Sequence, residues 1–146
     1  MYSFEGKIVV SGGWNSRKYS MNSVEAYDYY ENKWTYLPDM IEERDLHASV
    51  SMGNKIFVIG GFSTSNCEVF DSTSKKFTSI KCLKKTCHGS FQAVCLDNIL
   101  VVFNIPINSG KGQIYVYDTE CNEYSAVNSE ISEKLVHVSC VKYYTR

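Results

Sequence analysis

Alternating and continuous apolar segments recur along the chain, and their lengths predict β-strands. In the middle of the chain, residues 46–52 alternate, Gly53-Asn54 is a turn signal, and Ile, Phe and Val dominate 55–59. Residues 67–71 alternate again, and 76–80 follows a second polar break. Runs of this length between glycine, asparagine and serine are typical of short strands. The segment is therefore predicted to form four strands joined by tight connections.

The same arrangement returns along the chain, which indicates an internal repeat. A Gly-Gly pair ends the second predicted strand twice, an Asp ends the third predicted strand three times, and the aromatic residue before each Asp is followed seven positions later by another aromatic. The repeated residues are Gly12, Gly13, Tyr27, Asp28 and Trp34, then Gly60, Gly61, Phe70, Asp71 and Phe77, then Tyr117, Asp118 and Tyr124. Units of about 45 residues with four strands each predict the blades of a β-propeller.

Two of the repeated residue types have a physical role in such a blade. Glycine is expected where chains approach closely near the centre of the ring, because a Cβ there would clash. The aromatic residue of each fourth strand, Trp34 in the first unit, is expected to fill the space between neighbouring blades. On that basis, Trp34→Ala should lower the free energy of unfolding by about 3–5 kcal/mol.

These residues resemble the kelch repeat. The resemblance rests on Gly12-Gly13, Tyr27-Asp28, Trp34, the Leu-Pro-Asp-Met run at 37–40 and Arg44. The sequence is similar to the C-terminal propeller of BTB-kelch (kelch-like) proteins. The second unit matches with Phe70 and Phe77 at the aromatic positions, whereas Asn104-Ile105 replaces the Gly-Gly pair in the third. The resemblance implies an all-β fold, a partial kelch β-propeller of about three four-stranded antiparallel blades.

The predicted blade units span about 1–41, 42–86 and 87–131, and 132–146 is expected to be an extra strand of a further or shared blade. Closed propellers have typically four to eight blades, so three units do not close a ring. Three explanations remain open at this stage. The chain is a fragment of a longer kelch-like protein, or a short product that forms an incomplete arc, or one half of a head-to-tail homodimer with six blades.

Composition and charge exclude several classes of protein. Hydrophobic residues make up 44% of the chain and aromatic residues 14%, which suits a folded, strand-rich domain. Fifteen basic and sixteen acidic residues argue against a nucleic acid or an anionic membrane as partner. The longest apolar run is far too short to span a bilayer, and no secretory signal is predicted. We therefore expect a cytoplasmic protein with reduced cysteines.

Loops at the end of the blades are the candidate partner-binding site, because the strands are used in packing. The loop after the first Gly-Gly pair contributes Trp14, Asn15, Arg17 and Tyr19, a composition that is typical of binding hot spots. A solvated loop with Trp14 packed on its own blade is the alternative. The equivalent loops, and the entry to each first strand that the resemblance adds, contribute Arg44, Asp45, Phe62, Ser63, Ser65, Asn104, Asn108 and Lys111, with His88 as a further candidate.

The sequence predicts neither a catalytic site nor a cofactor. Cys82, Cys87 and His88 have some metal-ligating character, but structural zinc needs four ligands and no second pair with suitable spacing is present. Nucleophile-elbow, phosphate-loop and zinc-protease motifs are absent from the sequence. A basic run of five lysines between 75 and 85 is expected to be a solvated edge, with an acidic partner or actin as the alternative.

The predicted function is non-catalytic protein binding. The resemblance implies a module similar to the substrate-recognition kelch domain of a cullin-type E3 ubiquitin ligase adaptor, whose BTB and BACK regions would supply the contact with the ligase. The expected partner is a protein substrate or a peptide. An actin-binding, cytoskeletal role is the alternative, since other kelch proteins bind actin.

Overall fold

The computed structural model describes residues 1–17, 20–83, 89–106 and 112–131, and for 128–131 it describes the backbone alone. These residues form twelve β-strands and no helix. The first four strands are β1 (Tyr2–Phe4), β2 (Lys7–Ser11), β3 (Val24–Asp28) and β4 (Lys33–Leu37). The next four are β5 (Ala48–Met52), β6 (Lys55–Ile59), β7 (Cys67–Asp71) and β8 (Lys76–Ile80). The last four are β9 (Gly89–Leu96), β10 (Ile99–Pro106), β11 (Gly112–Asp118) and β12 (Glu123–Ile131).

Each group of four consecutive strands forms one antiparallel sheet in which neighbours along the chain pair with each other. We call these sheets blade 1, blade 2 and blade 3. The all-β architecture of about three four-stranded antiparallel blades is therefore confirmed. The strand predicted over 46–52 begins later, at Ala48, because Leu46 has a φ of 53° and cannot continue an extended strand. The extra strand predicted within 132–146 lies outside the described residues.

The first strands of the three blades lie side by side. β5 lies against both β1 and β9. The Ser51 hydroxyl donates a hydrogen bond to the Ser3 carbonyl at 2.7 Å, and the Phe91 amide donates to the Leu46 carbonyl at 2.9 Å. The blades consequently meet along their first strands and present their faces to one another.

Two hydrophobic clusters fill the spaces between the blades. The cluster between blades 1 and 2 contains Phe4, Val9, Val24, Ala26, Met40, Ile56, Val58 and Phe70. The cluster between blades 2 and 3 contains Ala48, Phe57, Ile59, Cys67, Val69, Leu83, Phe91, Leu100, Val102, Tyr115, Tyr117 and Tyr124. Most of the buried apolar surface therefore lies between sheets, as expected for a propeller in which each blade is stabilised by its neighbours.

The aromatic repeat has the expected role in blades 2 and 3 but not in blade 1. Tyr124 is 7% exposed within the second cluster, and Phe77 packs against the first. Trp34 is 49% exposed, so its prediction as a residue between two blades is wrong within the described structure. The difference follows from the direction in which these aromatic side chains face. Phe77 and Tyr124 each face the blade that precedes their own, and no described residue forms a blade before blade 1.

Close approach explains the first glycine of each Gly-Gly pair. A Cβ on Gly12 would lie 2.5 Å from the Arg44 carbonyl oxygen, and a Cβ on Gly60 would lie 2.6 Å from the Phe91 ring. Both glycines also have a left-handed backbone, with φ of 56° and 61°. The predicted crowding is therefore present at both sites.

The repeated aspartates shape the turn between the third and fourth strands. Asp28 accepts hydrogen bonds from the amides of Tyr30 and Glu31, at 3.0 and 3.2 Å. Asp71 and Asp118 each accept the two equivalent bonds in their own blades. These backbone donors hold the pKa of all three carboxyl groups below the usual range. The Asp of each unit is thus explained by turn geometry.

Candidate protein-interaction surface

A buried ion pair joins the entry to blade 2 with its third strand. Arg44 and Glu68 are 2% and 1% exposed, and Nη2 of the arginine lies 2.7 Å from Oε1 of the glutamate. The Nη1 group of Arg44 also donates to the carbonyl oxygens of Gly60 and Asn66, at 2.8 and 2.6 Å. Oε2 of Glu68 accepts a hydrogen bond from the Ile41 amide at 2.7 Å. Both charges are therefore satisfied away from water, as a buried pair requires.

The backbone around this pair brings two predicted loops together. The Gly13 amide donates to the Arg44 carbonyl at 2.8 Å, and the Phe62 amide donates to the Asp45 carbonyl at 2.9 Å. The Ser20 hydroxyl donates to the Asp45 carboxylate at 3.2 Å. The loop after the first Gly-Gly pair and the loop after the second therefore lie on either side of Asp45.

Several predicted site residues are exposed on this shared surface. Trp14 is 61% exposed and Phe62 is 43% exposed. Arg17 and Ser63 are also exposed, while Asn15 and Ser65 are half-buried. The Trp14 ring is therefore not buried against its own blade, although its exposure also fits the alternative of a solvated loop. We call the group Trp14, Asn15, Arg17, Asp45, Phe62 and Ser63 the loop surface.

Local hydrogen bonds order both loops. Asn15 accepts a bond from the Arg17 amide at 2.9 Å and donates to the Met21 sulfur at 3.0 Å. Glu42 accepts bonds from Thr64 at 2.9 Å and from Asn66 at 2.6 Å. These hydrogen bonds hold the backbone of both loops in place. The loop surface therefore loses less conformational entropy when a partner binds.

Two predicted partner contacts are corrected by the structure. Arg44 is buried and fully engaged by Glu68, Gly60 and Asn66, so its guanidinium is not available to a partner. Asn104 is 0% exposed and lies inside β10, because this strand continues to Pro106 through the position of the missing Gly-Gly pair. Tyr19, His88, Asn108 and Lys111 lie outside the described residues.

A polar cluster beneath the loop surface was not anticipated from the sequence. Nε2 of His47 lies 3.1 Å from the Ser11 hydroxyl, which in turn lies 3.1 Å from the Ser49 hydroxyl. Burial, with a smaller contribution from the charge of Arg44, lowers the pKa of His47 to about 4. The imidazole is therefore neutral at physiological pH and acts as part of the junction between blades 1 and 2.

A cleft of about 320 Å³ between blades 1 and 2 is lined by residues that include Phe4 of β1, Leu37 of β4 and Phe70 of β7. Its lining also includes Val9 and Ala26, which pair across β2 and β3. At the equivalent positions of blade 2, the larger Phe57 and Val69 pair with each other. The smaller side chains of blade 1 explain why this junction is less completely filled.

The part of the chain that the structure describes contains no group of three or more His, Cys, Asp or Glu residues placed to hold a metal ion. Cys67, Cys82, Cys95 and Cys121 are free thiols. Cys87 and His88, two of the three residues with some metal-ligating character in the sequence, lie outside the described residues. Among the described residues, no helix is long and apolar enough to cross a membrane.

Three antiparallel four-stranded blades with an ordered loop surface define a β-propeller module of the protein-binding type. The kelch motif matches residues 3–41 and 43–84, which is more than half of the chain. The chain therefore belongs to the kelch-repeat family.

Curated relatives agree with this assignment. An F-box/kelch-repeat protein of Arabidopsis thaliana is 40% identical over 70 residues, which is 48% of this chain and 20% of the relative. Kelch-like protein 26 of Danio rerio is 24% identical over 147 residues, covering 92% of this chain and 24% of the relative. Kelch-like protein 38 of Rattus norvegicus is 38% identical over 69 residues, covering 47% of this chain and 11% of the relative. The chain spans about a quarter or less of the length of these relatives.

Proposed function

We propose that this kelch module recognises a protein substrate or a peptide for a cullin-type E3 ubiquitin ligase, and that it acts by binding alone, in the cytoplasm. The observation that carries the proposal is the loop surface, where Trp14, Arg17 and Phe62 are exposed on backbone fixed by Arg44 and Asp45. The names of the relatives pair kelch repeats with an F-box or place them in kelch-like proteins, which supports an adaptor role.

The chemistry of the loop surface suits a peptide that carries an apolar side chain, an acidic group and a basic group. Trp14 and Phe62 offer large apolar area, and tryptophan and arginine are enriched among residues that dominate binding energy. Arg17 supplies a planar guanidinium that binds a carboxylate with two parallel hydrogen bonds. The half-buried Asp45 places an acceptor between the two loops. This arrangement favours recognition of a short segment that carries charges of both signs.

Partner capture from cell lysate tests this site. The double variant Trp14→Ala, Arg17→Ala is expected to lose the captured protein without a change in melting temperature, because both side chains are exposed. Tyr30→Ala is the matched control, since Tyr30 is 82% exposed in the turn after β3 and lies outside the loop surface. Fused to a BTB–BACK region, which would supply the contact with the ligase, the wild-type chain should support ubiquitylation of the captured protein by a cullin-type ligase, and the double variant should not. Equal capture by all three chains would contradict the site.

Actin binding is the second candidate, and the exposed lysines of blade 2 favour it. Lys75 and Lys76 are exposed at the start of β8, and Lys81 beyond its end is paired with Glu123 at 2.7 Å. A basic edge attracts the acidic surface of a filament. Cosedimentation separates the two functions. Saturable pelleting with filaments that is lost in Lys75→Glu, Lys76→Glu would support actin, and its absence would leave the adaptor function.

A further inference from the structure

The outer edge of the junction between blades 2 and 3 is closed by polar contacts. Oδ1 of Asn122, in the turn between β11 and β12, accepts hydrogen bonds from the Lys81 amide at 3.1 Å and from the Tyr117 hydroxyl at 2.8 Å. Nζ of Lys81 also lies 2.7 Å from Oε1 of Glu123. The residue that follows β8 in blade 2 is therefore tied to the turn and the last strand of blade 3.

The equivalent residues between blades 1 and 2 cannot make the same hydrogen bonds. Strand register and spacing align Pro38 with Lys81, Phe70 with Tyr117 and Lys75 with Asn122. Proline has no amide hydrogen, phenylalanine has no hydroxyl, and lysine has no acceptor. Lys75 and Asn122 both have a φ of 54°, so the turn keeps its shape while its hydrogen-bonding chemistry changes. The outer edge of this junction is therefore left without these contacts.

The cleft of about 320 Å³ between blades 1 and 2 lies at this edge. Pro38 of blade 1 and Lys75 of blade 2 both line it, and Ala26, Leu37 and Phe70 belong to its apolar lining. A concave site of this size, with apolar walls and a few polar groups, is typical of small-ligand binding. The missing contacts therefore leave a space that a small molecule can occupy.

The charged groups of the cleft favour an anion. Its lining contains two lysines, Lys7 and Lys75, and one carboxylate, Glu5. Lys7 has a counter-ion in Asp28 at 3.4 Å, whereas no described residue forms an ion pair with Lys75. The side chain of Lys75 is thus a free ammonium group at the cleft. Such a group binds a carboxylate through a charge-assisted hydrogen bond.

We propose that this cleft binds a small carboxylic acid with an aromatic or aliphatic body. The apolar body packs against Ala26 and Phe70, and the carboxylate accepts a hydrogen bond from Nζ of Lys75. A bound ligand links blade 1 to blade 2 where Asn122 links blade 2 to blade 3, and it therefore stabilises the folded chain. The site is separate from partner recognition, because no residue of the loop surface lines the cleft.

The probe is 4-phenylbutyrate, and 4-phenylbutan-1-ol is the matched ligand without the charge. In an NMR titration of the purified, methyl-labelled chain, phenylbutyrate should shift the methyl signals of Val9 and Ala26, which line the cleft, with a dissociation constant on the order of 1 mM. The alcohol should bind about threefold more weakly. No shift at about 10 mM phenylbutyrate, or equal affinity for the two ligands, would overturn the proposal.

Two lysine variants show whether Lys75 binds the carboxylate. Lys75→Asn introduces the residue that blade 3 has at this turn position, so the fold should be unchanged and phenylbutyrate should bind about threefold more weakly. Affinity for the alcohol should stay the same. Lys76→Gln is the matched control, because Lys76 is exposed and does not line the cleft. Equal weakening by both variants would reflect overall charge and would overturn the assignment of the carboxylate to Lys75.

Ala26→Val tests the apolar end of the site. Val69 is the equivalent residue of blade 2, so valine suits this position in the fold and fills part of the cleft. Phenylbutyrate binding should be lost at an unchanged or higher melting temperature. Glu5→Gln should strengthen binding about twofold, because it removes a like charge from the lining. Full binding by Ala26→Val would place the ligand outside the cleft, and weaker binding by Glu5→Gln would show that the cleft does not favour an anion; either result contradicts the proposal.

Discussion

The guanidinium of Arg44 and the carboxylate of Glu68 meet 2.7 Å apart in a fully buried pair, and this contact fixes the loop surface to blade 2. The peptide groups of Arg44 also accept from Gly13 in blade 1 and donate to Met21. One residue thereby joins two blades and two loops. A residue that resembles a surface contact in the sequence is instead the support beneath that surface.

Removal of one member of this pair should be strongly destabilising. Glu68→Gln removes the buried counter-ion of Arg44 and leaves it only the half-buried carboxylate of Glu42, 3.6 Å away, so the expected loss in the free energy of unfolding is about 3–5 kcal/mol. Urea unfolding measures it. Glu31→Gln is the control, because Glu31 is exposed in a turn and its variant should stay within about 0.5 kcal/mol of wild type. A loss below 1 kcal/mol for Glu68→Gln would mean that the pair does not hold the junction.

The corrected position of Trp34 changes the expected effect of its removal. Trp34→Ala should lower the free energy of unfolding by only about 1 kcal/mol, because the ring is half-exposed and packs mainly on Tyr27. Phe70→Ala should lower it by about 3–5 kcal/mol, since Phe70 is 3% exposed between blades 1 and 2. Similar losses for the two variants, measured by urea unfolding, would show that the Trp34 ring is buried.

Gly12 and Gly53 form a matched pair for the close approach at the junction. Both have a left-handed backbone, with φ of 56° and 58°. Alanine at either position therefore bears the same conformational cost of about 1–2 kcal/mol. A Cβ on Gly53 would meet nothing within 4 Å, whereas a Cβ on Gly12 would overlap the Arg44 carbonyl. Thermal unfolding should rank Gly12→Ala well below Gly53→Ala, and equal melting temperatures would argue against the crowding.

Stability should fall between pH 6.5 and pH 4 because of His47. Burial lowers the pKa of this imidazole to about 4 in the folded protein, whereas an unfolded histidine binds its proton near pH 6.5. Stability is therefore complete above pH 6.5 and is lost as the pH falls towards 4, by up to about 3 kcal/mol. The carboxyl groups with lowered pKa, such as Asp71, act only below this window.

His47→Gln separates this histidine from other titrating groups. Urea unfolding of the variant should show a flat stability between pH 6.5 and 4.5, at a lower value than wild type above pH 6.5. An identical slope in both chains would remove His47 as the cause.

The blades could be predicted from the repeat, because the strands, the glycines and the aspartates recur at regular spacing and each meets a local structural requirement. Gly60 is an example, because its left-handed backbone and its close approach to Phe91 both require glycine, and the glycine is apparent in the sequence. Arg44 could also be identified as a repeat residue in the sequence. Its role, however, depends on Glu68, which is distant in sequence and is buried only when the blades are assembled. A Glu at the same repeat position in units 1 and 2, Glu25 and Glu68, was the available signal.

The departure at Trp34 follows from the position of its blade in the series. Trp34 occupies the same repeat position as Tyr124, yet one is half-exposed and the other is buried. A repeat pattern specifies what a residue faces and carries no information on whether the neighbouring blade is present. Asn104 differs for a local reason, because β10 continues through the site where the other units end a strand with Gly-Gly.

Site-specific photo-cross-linking tests the central claim, that the loop surface of this kelch module binds a protein. A benzophenone amino acid would replace Trp14, and in a second chain Tyr30, an aromatic residue that is more exposed (82% against 61%) and lies outside the loop surface. Irradiation in cell lysate should join a defined partner protein to position 14 and not to position 30, and an excess of unlabelled wild-type chain should suppress the adduct. The same adducts at both positions, or none at position 14, would contradict the claim.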